Sequence, residues 1–268
     1  MRGSADKITA KVGAVMGAGF SQRSKTEKLT VTALLAALFA VTALAFKGFV
    51  IIPSITELRP VNALPLIYGL LFGHLGAVAS ALGNLFGDAV GGTLTFASAG
   101  GMIGNFAMAY IPYKIWGALL CKADEDIFLL TGAKSYFWYF VLALLSAIPA
   151  AVIIPLFTDA LGFVSYNILF GIIFVNNFLV ECTLGVVLYG FFSRACLKGK
   201  LAAVRKLVFS MEGVRGKRVA ALVLAANTFI AFGLSLFLFF SYSNEPGQLS
   251  ILVPMGILAT TMLLSMLK

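Results

Sequence analysis

The stretch that decides the fold lies at residues 53–65 and reads PSITELRPVNALP. An apolar run follows it and is broken by Gly73-His74-Leu75-Gly76, after which small residues lead to Gly87-Asp88. A further apolar run, Ala97 to Tyr113, closes the region. Such runs suit the interior of a bilayer, where polar side chains are costly and usually serve a function. We therefore treat each charged or amide side chain at the edges of these runs as a candidate site residue.

The composition of the chain predicts a membrane protein. Hydrophobic residues make up 60% of it, its mean hydropathy is +0.98, and only 12% of its residues are charged. A soluble domain carries about 25% charged residues. The net charge of +9 is explained by Lys and Arg that collect in cytoplasmic loops. Nucleic-acid binding is disfavoured because no stripe of basic and aromatic residues lies on a soluble element.

Two basic segments, residues 1–28 and 194–218, set the expected topology because both should stay in the cytoplasm. The chain must then cross the membrane an even number of times between them. A single helix over 63–89 would give an odd number. Two short helices or a re-entrant hairpin would restore the parity, and we predict two helices that turn near His74. The connections that this parity places outside are residues 47–62, 89–96 and 158–164.

The predicted fold class is all-α, a polytopic bundle of about eight membrane helices with both termini in the cytoplasm. Residues 1–28 form a basic cytoplasmic segment, and residues 29–193 form a six-helix membrane core. A basic cytoplasmic linker, 194–218, connects this core to a membrane hairpin of two helices at 219–268.

The first outer loop carries a group of polar side chains. Glu57, Arg59 and Asn62 lie between Pro53 and Pro65, which stiffen the loop. One acid, one base and one amide can bind a polar ligand and discriminate among ligands. The alternative is an ion pair between Glu57 and Arg59 that only shapes the loop.

Amide and acidic residues also occur within the apolar runs. Asn84 and Asp88 are four residues apart and share one helical face near the outer end. Asn177 and Glu181 have the same spacing but lie deeper in their helix. For each pair the alternative to a binding site is an interhelical hydrogen bond, which is worth about 1 kcal/mol.

Cofactor and metal chemistry find little support in the sequence. Cys121, Cys182 and Cys196 have no paired spacing, so neither a disulfide framework nor a zinc site is predicted. The single histidine, His74, argues against a histidine metal centre or a hydrolase triad.

Asp88 and Glu181 suggest two further possibilities, an acid pair for hydrolysis within the membrane and a proton relay. No metal motif or nucleophile elbow accompanies the two acids. Secondary transporters with such relays often contain inverted repeats, and no repeat is evident in this chain.

The first helix and the region after it resemble the substrate-binding S components of energy-coupling factor (ECF) transporters, the vitamin-uptake relatives of ABC importers. The small residues of Ala33-Leu-Leu-Ala-Ala37 look like the docking motif of the first S-component helix. The segment Leu70–Gly76, followed by small residues to Asp88, is similar to the hairpin of helices two and three. His74 stands where proline is common in the family. The resemblance covers residues 29–193, and the last two helices depart from it.

The resemblance implies a binding subunit for ATP-driven uptake of a vitamin or similar small molecule, without catalytic activity or a cofactor of its own. Ala33, Ala37 and Ala40 would dock on a coupling transmembrane subunit that two cytoplasmic ATPases drive. The chain contains no glycine-rich phosphate loop of the Gly-x-x-x-x-Gly-Lys-Ser/Thr type, in agreement with this role. The alternative for the alanines is ordinary packing within the bundle.

In the family the ligand lies near the outer face, between the first loop and helices four to six. The substrate-binding residues predicted from this likeness and from the polar groups above are Glu57, Arg59, Asn62, Asn84, Asp88, Thr95, Asn105 and Asn176. The sequence leaves two alternatives to the S-component function: a proton-coupled secondary transporter, and a membrane protein of structural or lipid-modifying role.

Overall fold

The structure is a computed structural model, and it describes residues 25–46, 50–52, 56–57, 59–121, 127–209, 214, 217–241, 256 and 259. These residues form an all-α bundle, as predicted, with one short β-hairpin added. The main helices are α1 (Lys25–Ala45), α2 (Leu64–Val90), α3 (Ala97–Ile115), α4 (Ala133–Ala160), α5 (Tyr166–Val180), α6 (Val186–Ala195), α7 (Gly199–Val208) and α8 (Arg218–Ser241). Five of the described helical segments are long and apolar enough to cross a membrane.

Helix α2 is two helices joined at a sharp turn, which confirms the predicted break. Gly73 has φ 61° and ψ −136°, a conformation that is essentially restricted to glycine. A Cβ atom placed on Gly76 would overlap the carbonyl oxygen of Tyr68. Residues eight apart in a straight helix are about 12 Å apart along the axis, so this contact shows that the second half of α2 folds back on the first.

Helix α1 packs against the second half of this hairpin through small residues. A Cβ atom on Gly83 would lie 2.9 Å from the carbonyl oxygen of Ala36, and one on Gly87 would lie 3.4 Å from the Cβ atom of Ala43. The Tyr68 hydroxyl also donates a hydrogen bond of 3.1 Å to the carbonyl oxygen of Leu35. Because these contacts advance in the same direction along both helices, α1 runs parallel to the second half of α2.

The start of α1 and the described part of the basic linker lie at one end of the bundle, which we call the basic end. Since α1 is parallel to the second half of α2, it begins near the turn at Gly73. Phe209, which follows α7, lies 3.4 Å from a Cβ atom placed on Gly73, so the linker lies at the same end. Within the linker Arg205 is buried, and its guanidinium carbon lies 4.1 Å from the centre of the Phe209 ring.

The opposite end of the bundle, which we call the loop end, holds the connections at residues 59–63, 91–96 and 161–165. A two-stranded antiparallel hairpin, β1 (Val50–Ile52) and β2 (Thr56–Glu57), precedes the first of them. The sequence predicts a polar connection over residues 47–62 and no strand there, so the hairpin is an addition to the predicted fold. The strands consist largely of Val, Ile and Thr, residues that favour extended backbone.

Helix α8 packs on the outside of α4 and α5. The Tyr166 hydroxyl and the Ser235 Oγ are hydrogen bonded at 2.8 Å, and the Phe239 ring lies 3.1 Å from a Cβ atom placed on Gly171. Of the second predicted C-terminal helix, 249–267, only Gly256 and Ala259 are described; the rest lies outside the described residues.

Candidate ligand-binding site

A cavity of about 450 Å³ lies at the loop end of the bundle, between α1, α2, α3, α4 and α5. It is lined by seven of the eight residues that the sequence analysis proposes as ligand contacts: Arg59, Asn62, Asn84, Asp88, Thr95, Asn105 and Asn176. The side chain of the eighth, Glu57, lies outside the described residues. Residues that are distant in sequence are therefore gathered around one space.

Asn62 lies in a short 3₁₀ helix, Pro60–Ala63, immediately before α2, and its side chain lines the cavity. Pro60 starts this turn with its fixed φ angle, and the Asn62 amide closes it with a hydrogen bond of 2.9 Å to the Arg59 carbonyl oxygen. The Asn62 side chain then donates a hydrogen bond of 2.5 Å to the Oδ1 atom of Asn177. The loop is thus tied to α5 across the cavity, with the exposed Arg59 at its edge.

Asn84 of α2 and Asn105 of α3 form a second amide pair. The Asn105 Nδ2 atom donates to the Gly101 carbonyl oxygen at 2.8 Å and to the Asn84 Oδ1 atom at 3.1 Å. A carbonyl oxygen can only accept, so the Gly101 contact fixes which atom of each amide faces the other. Asn84 Nδ2 and Asn105 Oδ1 are buried and have no hydrogen-bond partner among the described residues. The pair therefore retains one donor and one acceptor, which are costly to leave unpaired.

Backbone hydrogen bonds hold the rim of the cavity between α2 and α3. The Thr93 amide donates to the Asp88 carbonyl oxygen at 2.9 Å, and the Thr95 amide donates to the Ser98 Oγ at 3.2 Å. Asp88 lines the cavity from the α2 side and Thr95 from the α3 side. Arg59 and Asp88 are the only charged side chains among the described residues that line it.

The floor of the cavity contains two residues that the predicted contact set omits, Met108 and Asn177. The Asn177 Nδ2 atom lies 3.7 Å from the Met108 sulfur atom as a hydrogen-bond donor. Asn177 is recognisable in the sequence as a polar residue in an apolar run, but its spacing from Glu181 suggested a deeper position. Met108 is apolar, so the sequence does not mark it as a site residue. The packing of α3 brings it to the floor of the cavity.

The family of this chain is known from a match to a family model. The model of the QueT transporter family matches residues 29–194. The chain belongs to the QueT transporter family. QueT transporters are a family of ECF S components, which confirms the resemblance drawn from the first three helices. No curated protein and no solved structure matches the chain. The QueT match ends within α6 and leaves α7 and α8 outside the family core.

The first helix of this QueT family member presents two of its three motif alanines to the outside. Ala33 and Ala37 are exposed, next to the exposed Leu34 and Leu38, whereas Ala40 is buried. The α-carbon of Ala40 lies 3.8 Å from a Cβ atom placed on Gly87. Ala40 therefore takes part in packing within the chain, which is the alternative that the spacing left open.

The described part of the QueT chain has no group of three or more His, Cys, Asp or Glu side chains that could hold a metal ion. The two acids considered as a pair in the sequence analysis also lie apart. Asp88 lines the cavity, whereas Glu181 is fully buried and does not line it.

Proposed function

We propose that this chain is the substrate-binding subunit of an ECF transporter and binds a queuosine precursor in the cavity at the loop end. The observation that carries the proposal is the set of amide side chains that line this cavity in a chain whose core belongs to the QueT transporter family. The family is one of S components for queuosine precursors. The proposal replaces the broader expectation of a vitamin-like ligand with one class of compound.

The chemistry of the cavity suits such a ligand. Queuosine precursors are modified guanine-type bases, flat rings with neutral hydrogen-bond donors and acceptors along their edges. The donor on Asn84 and the acceptor on Asn105 match adjacent donor and acceptor positions on such an edge. Apolar side chains from three helices, Phe39, Met108 and Ile154, supply surface for the ring faces. A volume of about 450 Å³ falls within the usual range for small-molecule sites.

The direction of uptake follows from the two ends of the bundle. Lys and Arg of membrane proteins accumulate on the cytoplasmic side. The first basic segment immediately precedes the first apolar run in the sequence, α1 begins at the basic end, and the described part of the second basic segment lies there too. The cavity at the loop end then opens to the exterior, and both termini lie in the cytoplasm of a cell whose membrane the chain crosses several times.

The energy for uptake comes from partner subunits in this proposal. The exposed face of α1, with Ala33 and Ala37, is the docking surface for the coupling transmembrane subunit. Small residues allow close helix approach in lipid, where van der Waals packing drives association. Two cytoplasmic ATPases then drive transport, because the chain has no phosphate loop of its own. We assign it no catalytic role.

Reconstitution tests this function. The purified chain in proteoliposomes should bind a radiolabelled 7-deazaguanine precursor without transporting it, and uptake should require ATP together with the coupling subunit and ATPases. Riboflavin serves as a ligand control that should not compete. Transport by the chain alone, driven by a proton gradient, would identify a secondary transporter instead. Native mass spectrometry that finds a different co-purifying molecule would refute the ligand class but not the subunit role.

A further inference from the structure

Glu181 is a carboxylic acid buried at membrane depth, one helical turn beyond the cavity residue Asn177. It begins a π-helical turn, Glu181–Gly185, between α5 and α6. Such turns are frequent at functional sites. The side chain is fully buried, and its Oε2 atom has no hydrogen-bond partner among the described residues.

The hydrogen bonds around Ser146 determine the protonation state of this acid. The Ser146 Oγ lies 2.9 Å from the Met108 carbonyl oxygen and 2.5 Å from the Glu181 Oε1 atom. A hydroxyl has one proton to donate, and a backbone carbonyl can only accept. If Ser146 donates to Met108, the bond to Glu181 needs a proton from the carboxyl group. Only the neutral acid satisfies both bonds.

The groups packed against Glu181 agree with a neutral side chain. Tyr139 of α4 donates its hydroxyl to the Glu181 backbone carbonyl at 3.1 Å, and Cys182 is the next residue along the chain. These two are the titratable groups that face Glu181 in the described structure, and neither is a cation. A charged carboxylate left unpaired at this depth would be costly.

We infer that Glu181 acts as a neutral hydrogen-bond donor that positions the floor of the ligand cavity. Its proton frees the Ser146 hydroxyl to hold the Met108 carbonyl group, and Met108 in turn contacts the Asn177 amide. Glu181 does not line the cavity, so it is a positioning residue and not a ligand contact. If Glu181 loses its proton, Ser146 must donate to the carboxylate, and the Met108 carbonyl group loses its donor.

This role predicts a pH dependence of ligand binding with a definite sign. The inference rests on the proposed ligand site. Affinity of the wild-type chain for the 7-deazaguanine precursor should hold at low and neutral pH and fall about tenfold in alkaline buffer, because loss of the Glu181 proton takes the Ser146 donor away from the Met108 carbonyl group. Glu181→Gln keeps a neutral donor and should bind the ligand with a flat pH profile over the same range. Cys182→Ser and Tyr139→Phe are matched controls that should keep the wild-type profile.

A spectroscopic measurement tests the protonation state without any ligand. Infrared difference spectra of the detergent-solubilised chain between neutral and alkaline pH should show loss of a protonated carboxyl C=O band, and Glu181→Gln should remove that band. An unchanged spectrum for Glu181→Gln, or a pH profile that this variant shares with the wild type, overturns the inference. Failure of every variant and of the wild type to bind the precursor refutes the proposed ligand, while the infrared result still decides the state of Glu181.

Discussion

Asn105 is the residue whose removal should cost the most binding energy, because its Nδ2 atom orients Asn84 while its Oδ1 atom is buried without a hydrogen-bond partner among the described residues. Asn105→Leu removes the acceptor and leaves Asn84 without its orienting donor. We expect a loss of about 1–3 kcal/mol of binding free energy, measured by isothermal titration with the 7-deazaguanine precursor. Asn227→Leu in α8, outside the cavity, is the matched control. Equal losses for the two variants would contradict a role for the pair.

Gly101 offers a second test of the same pair without removing either amide. A Cβ atom at this position would lie 2.6 Å from the Asn84 Nδ2 atom. Gly101→Ala should therefore displace the Asn84 amide and weaken binding of the precursor while the chain remains folded. Retained affinity would show that the ligand does not use Asn84.

The amides themselves were predictable from the sequence, but their partners were not. Polar residues in apolar runs stand out, and the spacing of Asn84 and Asp88 correctly places both at one end of a helix. The interhelical hydrogen bond considered as an alternative for Asn84 is also present, to Asn105. The bond from Asn62 to Asn177 joins residues 115 positions apart, so it depends on how α5 packs and leaves no local sequence signal.

At the scale of elements, the hairpin of α2 depends on one glycine. Gly73→Ala forces a side chain into a φ of 61°, and such strain costs about 1–3 kcal/mol. The thermal unfolding temperature in detergent should fall accordingly. Gly233→Ala is the matched control: it lies within α8 with open space around it, and an alanine in a helix interior is more favourable than glycine by about 0.5–1 kcal/mol. Similar shifts for both variants would argue against a strained turn.

This turn was predictable because the two basic segments require an even number of crossings between them, and Gly73-His74-Leu75-Gly76 breaks the apolar run, although each half is short for a full span of about 20 residues. The β-hairpin before it was not, because three extended residues on one side of Pro53 resemble an irregular loop. The docking of α7 at the turn was also missed. It arises from the contact of Phe209 with the aromatic rings of Tyr113 and Trp116, which no periodic pattern encodes.

Substitutions on the exposed face of α1 should abolish transport but leave ligand binding intact. Ala33→Trp and Ala37→Trp place bulky side chains on its exposed face, so docking and ATP-dependent uptake should fail while affinity for the precursor is unchanged. Ala40→Trp is the contrasting variant. Because Ala40 is buried against Gly87, this substitution should lower the unfolding temperature. Loss of ligand binding in the Ala33 and Ala37 variants would assign those alanines to folding instead of docking.

At the scale of the whole molecule, uptake requires that the loop end of the bundle faces the exterior. The two ends differ in charge, because the linker 194–218 contributes eight Lys and Arg residues against one Glu, whereas the described residues that line the cavity include one Arg and one Asp as their charged side chains. In a cysteine-free background, Thr95→Cys at the loop end should react with a membrane-impermeant maleimide added to intact cells. Lys200→Cys in α7 is the matched exposed position and should react only after the cells are opened.

The opposite pattern would place the cavity in the cytoplasm, and uptake from outside would then be excluded even if the precursor binds. Equal labelling of both positions in intact cells would show that the probe crosses the membrane, so the contrast between the two positions is what decides the orientation.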